Sequence, residues 1–305
     1  MTVKGAFCIG MLVLTGSFGF SQNLLDILDE EQDKVPQFTE ATFKTTRITF
    51  GHSIETRKKG VLELFVSNRF WNTPEERTQS FLSDRMSTRV ALEYGFTDRF
   101  SMGFGGTTWD GLFDGYAKYK LVQQGLDGKG SPVSITLFQN ATYFSEGIAN
   151  DAIADDFGNR MSYASQLLIA RKFSRKFSLQ VTPTFIHRGL EFSEEDPQNH
   201  FAVGIGGRYK IGNHMSFVSE YYTVANPIES FNTYAPFAVG VNWEIGDLMM
   251  QFQLTNALGM AEPAFIAQTR NNFNFRNPNL NFGFNVAYIM HFKRRLKGLK
   301  QEKKP

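Results

Sequence analysis

The stretch Met86-Ser87-Thr88-Arg89-Val90-Ala91-Leu92-Glu93-Tyr94-Gly95-Phe96 decides the fold. Its even positions carry Met86, Thr88, Val90, Leu92, Tyr94 and Phe96, and its odd positions Ser87, Arg89, Ala91, Glu93 and Gly95. Successive side chains of a strand point to opposite faces, so one face of this stretch is apolar and the other polar. Thr97-Asp98 reads as a turn, after which Phe100, Met102 and Phe104 alternate with Arg99, Ser101, Gly103 and Gly105. The same period-two pattern recurs over 113–121, 177–185, 201–211, 237–245 and 280–292. These runs match the ~9–11 residues of a tilted membrane-spanning strand. Strands of soluble proteins average about five or six. The polar faces carry Arg89, Glu93, Lys118, Arg208 and Glu244 among Gly, Ser, Thr and Asn, which suits a polar lumen behind a lipid-facing apolar wall.

Composition agrees with that assignment. The 305 residues include 31 Phe and 27 Gly, with 42% apolar and 20% charged residues. Aromatic strands punctuated by glycine use both excesses. Mean hydropathy is −0.27. After residue 21 no apolar run reaches the ~18 residues of a spanning helix, which excludes a helical membrane bundle. The fold class is therefore all-β: an antiparallel transmembrane β-barrel with a short N-terminal periplasmic or plug segment.

Four regions are expected. Residues 1–21 read as a signal peptide, with Lys4 as its positive start, Ala6 to Leu14 as its apolar core, and Gly19 and Ser21 at the cleavage site. The single cysteine, Cys8, lies inside it, so the mature chain can form neither a disulfide nor a thiolate metal site. Without Lys4 the 32 basic residues become 31 against 30 acidic ones, and nucleic acid is not expected as a partner. Residues 22–54 form an N-terminal segment: a short acidic amphipathic helix over 22–35, then a stretch at 41–54 that is polar on both faces. This second stretch is expected to plug the lumen, cap the barrel or serve as a first strand. Residues 55–292 form the outer-membrane barrel, and 293–305 a basic periplasmic tail.

Link lengths give strand number and orientation. Short turns fall at Thr97-Asp98, Ser174-Arg175, Gly212-Asn213 and Gly246-Asp247, and long links at 72–84, 145–158, 189–198, 226–233 and 257–278. Short turns belong to the periplasmic side and long loops to the outside. Counting from residue 61 gives about 12 strands, or 14 if 41–54 and a further strand within 263–275 join the wall.

Motifs for chemistry are sparse. Gly103-Phe104-Gly105-Gly106 and Gly204-Ile205-Gly206-Gly207 lack the spacing of a nucleotide loop and read as glycines where the barrel bends. His52, His187, His200, His214 and His291 form no metal-binding pair. No catalytic residue, cofactor or metal site is expected, and the protein is not expected to be an enzyme. The lumen-lining candidates are Arg89, Glu93, Asp114, Lys118, Arg208, Glu220 and Glu244. They are expected either to bridge one another across a narrow lumen or to form a selectivity ladder for a small polar or anionic solute. Val90→Arg is expected to impair assembly and Arg89→Ala to leave it intact. The expected function is a narrow channel for passive transport of a small solute. The alternative is a structural or accessory barrel that binds partners through loops and tails. Expected partners are outer-membrane lipid, a small solute and a periplasmic protein reached through the termini.

The stretches Lys59-Gly60-Val61-Leu62-Glu63-Leu64, Leu92-Glu93-Tyr94-Gly95-Phe96-Thr97-Asp98-Arg99 and Asp114-Gly115-Tyr116-Ala117-Lys118-Tyr119-Lys120 carry a family resemblance. So do Phe201 to Tyr209, Glu220-Tyr221-Tyr222, Gln251-Phe252-Gln253-Leu254-Thr255-Asn256 and Phe282-Gly283-Phe284-Asn285. Over about residues 38–292 the chain resembles an uncharacterised family of Bacteroidetes β-barrel proteins, a domain of unknown function. That resemblance implies the barrel and the outer membrane, and no substrate.

Overall fold

The computed structural model describes residues 37–71, 83–126, 130–146, 156–189, 193, 196–273 and 280–292. The expected signal peptide, the acidic helix at 22–35 and the basic tail lie outside the described residues. Twelve strands run in chain order: β1 Val61–Trp71, β2 Arg85–Gly95, β3 Phe100–Thr107, β4 Leu112–Val122, β5 Ser134–Phe144, β6 Met161–Lys172, β7 Phe177–Arg188, β8 Asn199–Lys210, β9 Met215–Val224, β10 Phe237–Ile245, β11 Leu248–Thr255 and β12 Asn281–His291. Each pairs antiparallel with its neighbours in sequence, and β1 pairs with β12 from Val61↔His291 to Phe70↔Phe282. Closure leaves no strand edge exposed.

The count is the twelve expected from residue 61, and the alternative of fourteen falls. Residues 41–54 stay out of the wall, and the described residues 263–273 hold no strand. Their first part belongs to a short helix, α1, Glu262–Ala267. Pro263 sits in the first turn of α1, where its missing N–H leaves no helical bond unmade.

The two faces of the wall follow the alternation in the sequence. Val90, Met102, Phe104, Phe113, Phe201 and Ile205 point outward and are exposed. Arg89, Ser101, Asp114, Lys118 and Thr136 point inward and are buried. Outward aromatics gather near both ends of the strands. Tyr94 and Phe96 (5.0 Å between centroids) and Phe173 and Phe177 (5.7 Å) mark one rim, and Trp71 and Trp109 (5.1 Å) the other. Two such girdles are what interfaces on either side of a bilayer select.

One rim carries the short turns β2–β3, β6–β7, β8–β9 and β10–β11. At the last of these Gly246 adopts φ +62°, the left-handed conformation that a two-residue hairpin demands. Two links depart from the short-long alternation. The β3–β4 link on the long-loop rim spans only 108–111, whereas the β4–β5 link on the short-turn rim spans 123–133. The longer link has a partner: Gly125 bridges Phe38, and Gln124 O accepts from Thr39 N at 2.8 Å. It receives the chain where the chain enters the barrel.

Candidate functional site: an occluded lumen

Residues 38–60 form a hairpin that rises into the barrel from the short-turn rim and returns to it. It enters at Phe38 and reverses at Arg47–His52, where those two residues bridge and Ile48 N donates to Gly51 O at 2.9 Å. It leaves past the β2–β3 turn, where Thr56 Oγ1 donates to Asp98 O and Lys59 N to Asp98 Oδ1, both at 3.1 Å. Gly95 lets it pass, because a Cβ there would collide with the Arg57 and Lys58 backbone. Thr42, Thr45, Thr46, Thr49 and Ser53 are buried, which explains a stretch polar on both faces: wall surrounds it on all sides.

A hairpin without a neighbouring strand must satisfy its backbone by other means. Here wall side chains do so. The Glu220 carboxylate on β9 accepts from Thr49 N (2.8 Å), Phe50 N (3.0 Å), Gly51 N (3.1 Å) and the Thr49 hydroxyl. Gly51 gives the carboxylate room at this tip, since a Cβ would crowd the Tyr222 hydroxyl and lie 2.6 Å from Glu220 Oε1. Gln180 on β7 accepts from Ile54 N at 2.9 Å and donates to His52 O at 2.8 Å. Gln251 donates to Ile48 O (2.6 Å), Asn285 to Thr49 O (3.2 Å) and Thr136 to Ile54 O (2.9 Å). Lys118 Nζ donates to Thr46 O (2.8 Å) and Glu55 O (3.0 Å).

Apolar packing completes the hold. Phe43, Ile48 and Ile54 of the hairpin pack with Tyr116, Phe138, Leu168, Ala170 and Val218 of the wall. Phe50 packs with Ile186, Ala202 and Tyr222, and with Phe265 and Ile266 of α1. Helix α1 folds inward from the long-loop rim, all six of its residues buried, and its Phe265 ring lies 4.6 Å from that of Phe50. The lumen is therefore shut by two inserted pieces that meet near its middle.

Their meeting point is charged. Glu262 Oε1 of α1 lies 3.6 Å from Arg47 Nη1 and 3.6 Å from His52 Nε2. The His52 ring is flanked by Tyr116 (4.5 Å) and Phe138 (4.3 Å). Among the described residues, neither Glu262 oxygen and neither His52 nitrogen has a hydrogen-bond partner. Burial, and then the Arg47, Lys118 and Arg89 charges, push the His52 imidazole well below its ordinary range, so it is held neutral. Burial raises the Glu262 carboxyl, Asp114 adds to that, and Arg47 and Arg89 oppose it.

Two voids beside the hairpin are small. The void lined by Arg47, Glu63, Gln251 and Asn285 offers about 10 Å³ to the centre of a water molecule, enough for about one water. The void lined by Arg47, Arg69, Arg89 and Met260 offers none.

Six of the seven lumen candidates, Arg89, Glu93, Asp114, Lys118, Arg208 and Glu220, are buried inside the barrel, and Glu244 is partly exposed at its short-turn end. They do not line an open ladder. Arg89 and Asp114 form a two-pronged ion pair, its second contact 2.7 Å. Arg89→Ala would leave a buried carboxylate without its cation, holding only the 3.4 Å bond from Asn140 Nδ2, which corrects the expectation that this change is harmless. Glu93 accepts from Ser101 (2.7 Å) and Tyr116 (3.2 Å). The other four reach the hairpin: Lys118 and Glu220 as above, Arg208 through Thr42 O (3.5 Å) and Glu244 through Lys44 (3.0 Å). Sequence reasoning missed the neutral holders Gln180, Gln251, Asn285 and Thr136, and Glu262 on α1. The inward glycines also gain another role. A Cβ on Gly206 would sit 2.6 Å from Ile48 Cδ1, so this glycine makes room for the hairpin. Among the described residues no group of three or more His, Cys, Asp or Glu could hold a metal ion.

None of the curated proteins matches the chain. Among solved structures it is similar to the KdgM porin (9% identity, TM-score 0.47, 76% of this chain and 99% of that one). It is also similar to the Acinetobacter baumannii outer membrane protein Omp33 (9%, 0.41, 75% and 97%) and to the CymD monoaromatic hydrocarbon channel (9%, 0.36, 77% and 89%). Likeness of this degree says nothing of cargo. The description "Membrane bound beta barrel domain (DUF5777)" matches residues 43–290, nearly the whole of the barrel and its hairpin, and the chain belongs to that family.

Proposed function

We propose that this protein is an outer-membrane channel of a Gram-negative bacterium for a small solute, kept shut at rest by its own residues 38–58. Residues 1–21 serve as its cleaved export signal. The observation that supports this reading most is how the closing piece is held. Glu220, Lys118, Gln180, Gln251 and Asn285 are wall side chains that each bond hairpin backbone. Withdrawal of the hairpin toward the short-turn rim would leave all of them lining a polar bore about twelve strands round. With Arg89 neutralised by Asp114, the freed Lys118 and Arg208 join the inward Arg69 among the basic groups that would favour an anionic solute.

The second reading is a structural barrel with no transport. It is favoured by the apolar packing of Phe43, Ile48 and Ile54 against Leu168 and Val218, which resembles a permanent core. Planar-bilayer recordings separate the two. The channel reading expects a quiet full-length protein and steady conductance once residues 22–56 are deleted. A deleted form that folds and stays silent supports the structural barrel instead.

A further inference from the structure

The outward wall contains one feature that neither the channel nor its closure uses. Gln139 is the sixth of the eleven residues of β5, at the middle of the strand, and its side chain is exposed on the lipid-facing side. Its register neighbours on that face are Ala117 of β4 and Ser165 of β6. The Ser165 hydroxyl donates to Gln139 Oε1 at 2.5 Å, and Gln139 Nε2 reaches only Asn140 O, at 3.3 Å, among the described residues. One amide N–H and one oxygen lone pair are thus left pointing at hydrocarbon. Polar groups there are unfavourable unless another group pairs with them.

The surface around this amide is hollow. Two shallow depressions, of about 870 and 620 Å³, adjoin on the outer wall and share Ala117 and Gln139 in their floors. The floor is low because its residues are small, Gly115, Ala117, Ala141 and Ser165, whereas Phe104, Tyr119 and Phe201 stand proud around it. Small residues allow a close approach between protein surfaces in a bilayer, where apolar side chains gain nothing by leaving lipid.

We propose that the β4–β6 face is a homodimer interface, in which two copies of the barrel meet about a two-fold axis at Gln139. A carboxamide is donor and acceptor at once, so two of them related by a two-fold axis satisfy each other reciprocally. An acyl chain in the same hollow fills space and leaves both amides unpaired. The pairing places the free N–H of each Gln139 on the open lone pair of its counterpart, with the small floor residues setting the distance.

Cysteine cross-linking tests this. The single cysteine of the chain, Cys8, lies in the expected signal peptide, so an introduced thiol reports alone. Ala141→Cys lies beside the axis, and Met250→Cys on β11 lies on the opposite wall. With each variant shown to be folded by heat-modifiable migration, oxidation in vesicles of phospholipid should give a covalent dimer of Ala141→Cys and leave Met250→Cys monomeric. Adding Gln139→Leu to Ala141→Cys should slow dimer formation about tenfold, the size expected for losing paired side-chain hydrogen bonds in a bilayer. Equal cross-linking at both cysteines, an adduct to a protein of another mass, or no change with Gln139→Leu would each overturn the proposal.

Discussion

Replacing Glu220 by alanine should unfasten the hairpin from the wall. Glu220 is 2% exposed and takes bonds from three successive backbone N–H groups and one hydroxyl. A hydrogen bond to a charged group is worth about 1.5–3 kcal/mol net. The four share one carboxylate and do not add independently. Alanine removes the shared acceptor and leaves three buried N–H groups unmatched, so the closed state should lose about 3–5 kcal/mol, the range for breaking a buried charged contact. At about 1.4 kcal/mol per factor of ten, the open fraction rises by roughly two to three and a half orders of magnitude. Thiol labelling reads this directly. Thr49→Cys places a reactive group at the buried tip, and a water-soluble maleimide should reach it far faster with Glu220→Ala than with Glu220 intact. Glu220 joins the β8–β9 and β9–β10 ladders through its backbone, which alanine keeps, so heat-modifiable migration should be unchanged. A tip that stays unreactive after Glu220→Ala would refute the assignment of Glu220 as its fastening.

Further outcomes follow from the same contacts. Gly206→Leu should also expel the hairpin, because even a Cβ there lies 2.6 Å from Ile48 Cδ1; rapid labelling of Thr49→Cys in a folded barrel is the expected readout. Val90→Arg puts a charge on the lipid face and should cost about 2–4 kcal/mol in refolding titrations. Arg89→Ala should cost a similar or larger amount, about 3–5 kcal/mol, by stranding Asp114. Two groups where the hairpin meets α1 respond to pH with opposite sign. His52, lowered from 6.5, stabilises closure above that pH and loses the contribution as pH falls. Glu262, raised from 4.5, stabilises closure below that pH and loses the contribution as pH rises through its folded value. Between 4.5 and 6.5 these two contributions oppose each other. Glu262→Gln should make the tip looser on acidification, and His52→Gln should make it tighter.

The wall was legible because each strand repeats one local rule. Residues 86–96 declare an inside and an outside without reference to anything distant, and the remaining strands repeat the declaration. The hairpin was illegible for the converse reason. Thr49 and Glu220 are 171 residues apart, and Thr49 and Asn285 are 236 apart, so no local period records their contact. Its trace lies in places where the strand rule is broken. On β5 the aromatic Phe138 points inward and the amide Gln139 outward, the reverse of the usual assignment. Phe138 faces inward because the His52 ring lies against it at 4.3 Å. Inward Leu168 and Val218 on otherwise polar faces, and inward Gly204 and Gly206, mark the same occupied lumen. Helix α1 is only six residues long, too short for an amphipathic period to be visible inside a 25-residue link.

The central claim is that moving the hairpin opens the barrel, and a reversible lock tests it most directly. Ile48→Cys and Gly206→Cys place two thiols where the Ile48 side chain now meets the β8 wall, in a chain whose single cysteine, Cys8, lies in the expected signal peptide. Combined with Glu220→Ala and recorded in a planar bilayer, the oxidised protein should be silent and should conduct after a reductant is added to the same membrane. Conductance that ignores the reductant would contradict the account: current in both states would mean the hairpin does not close the passage, and silence in both would mean no passage lies beneath it.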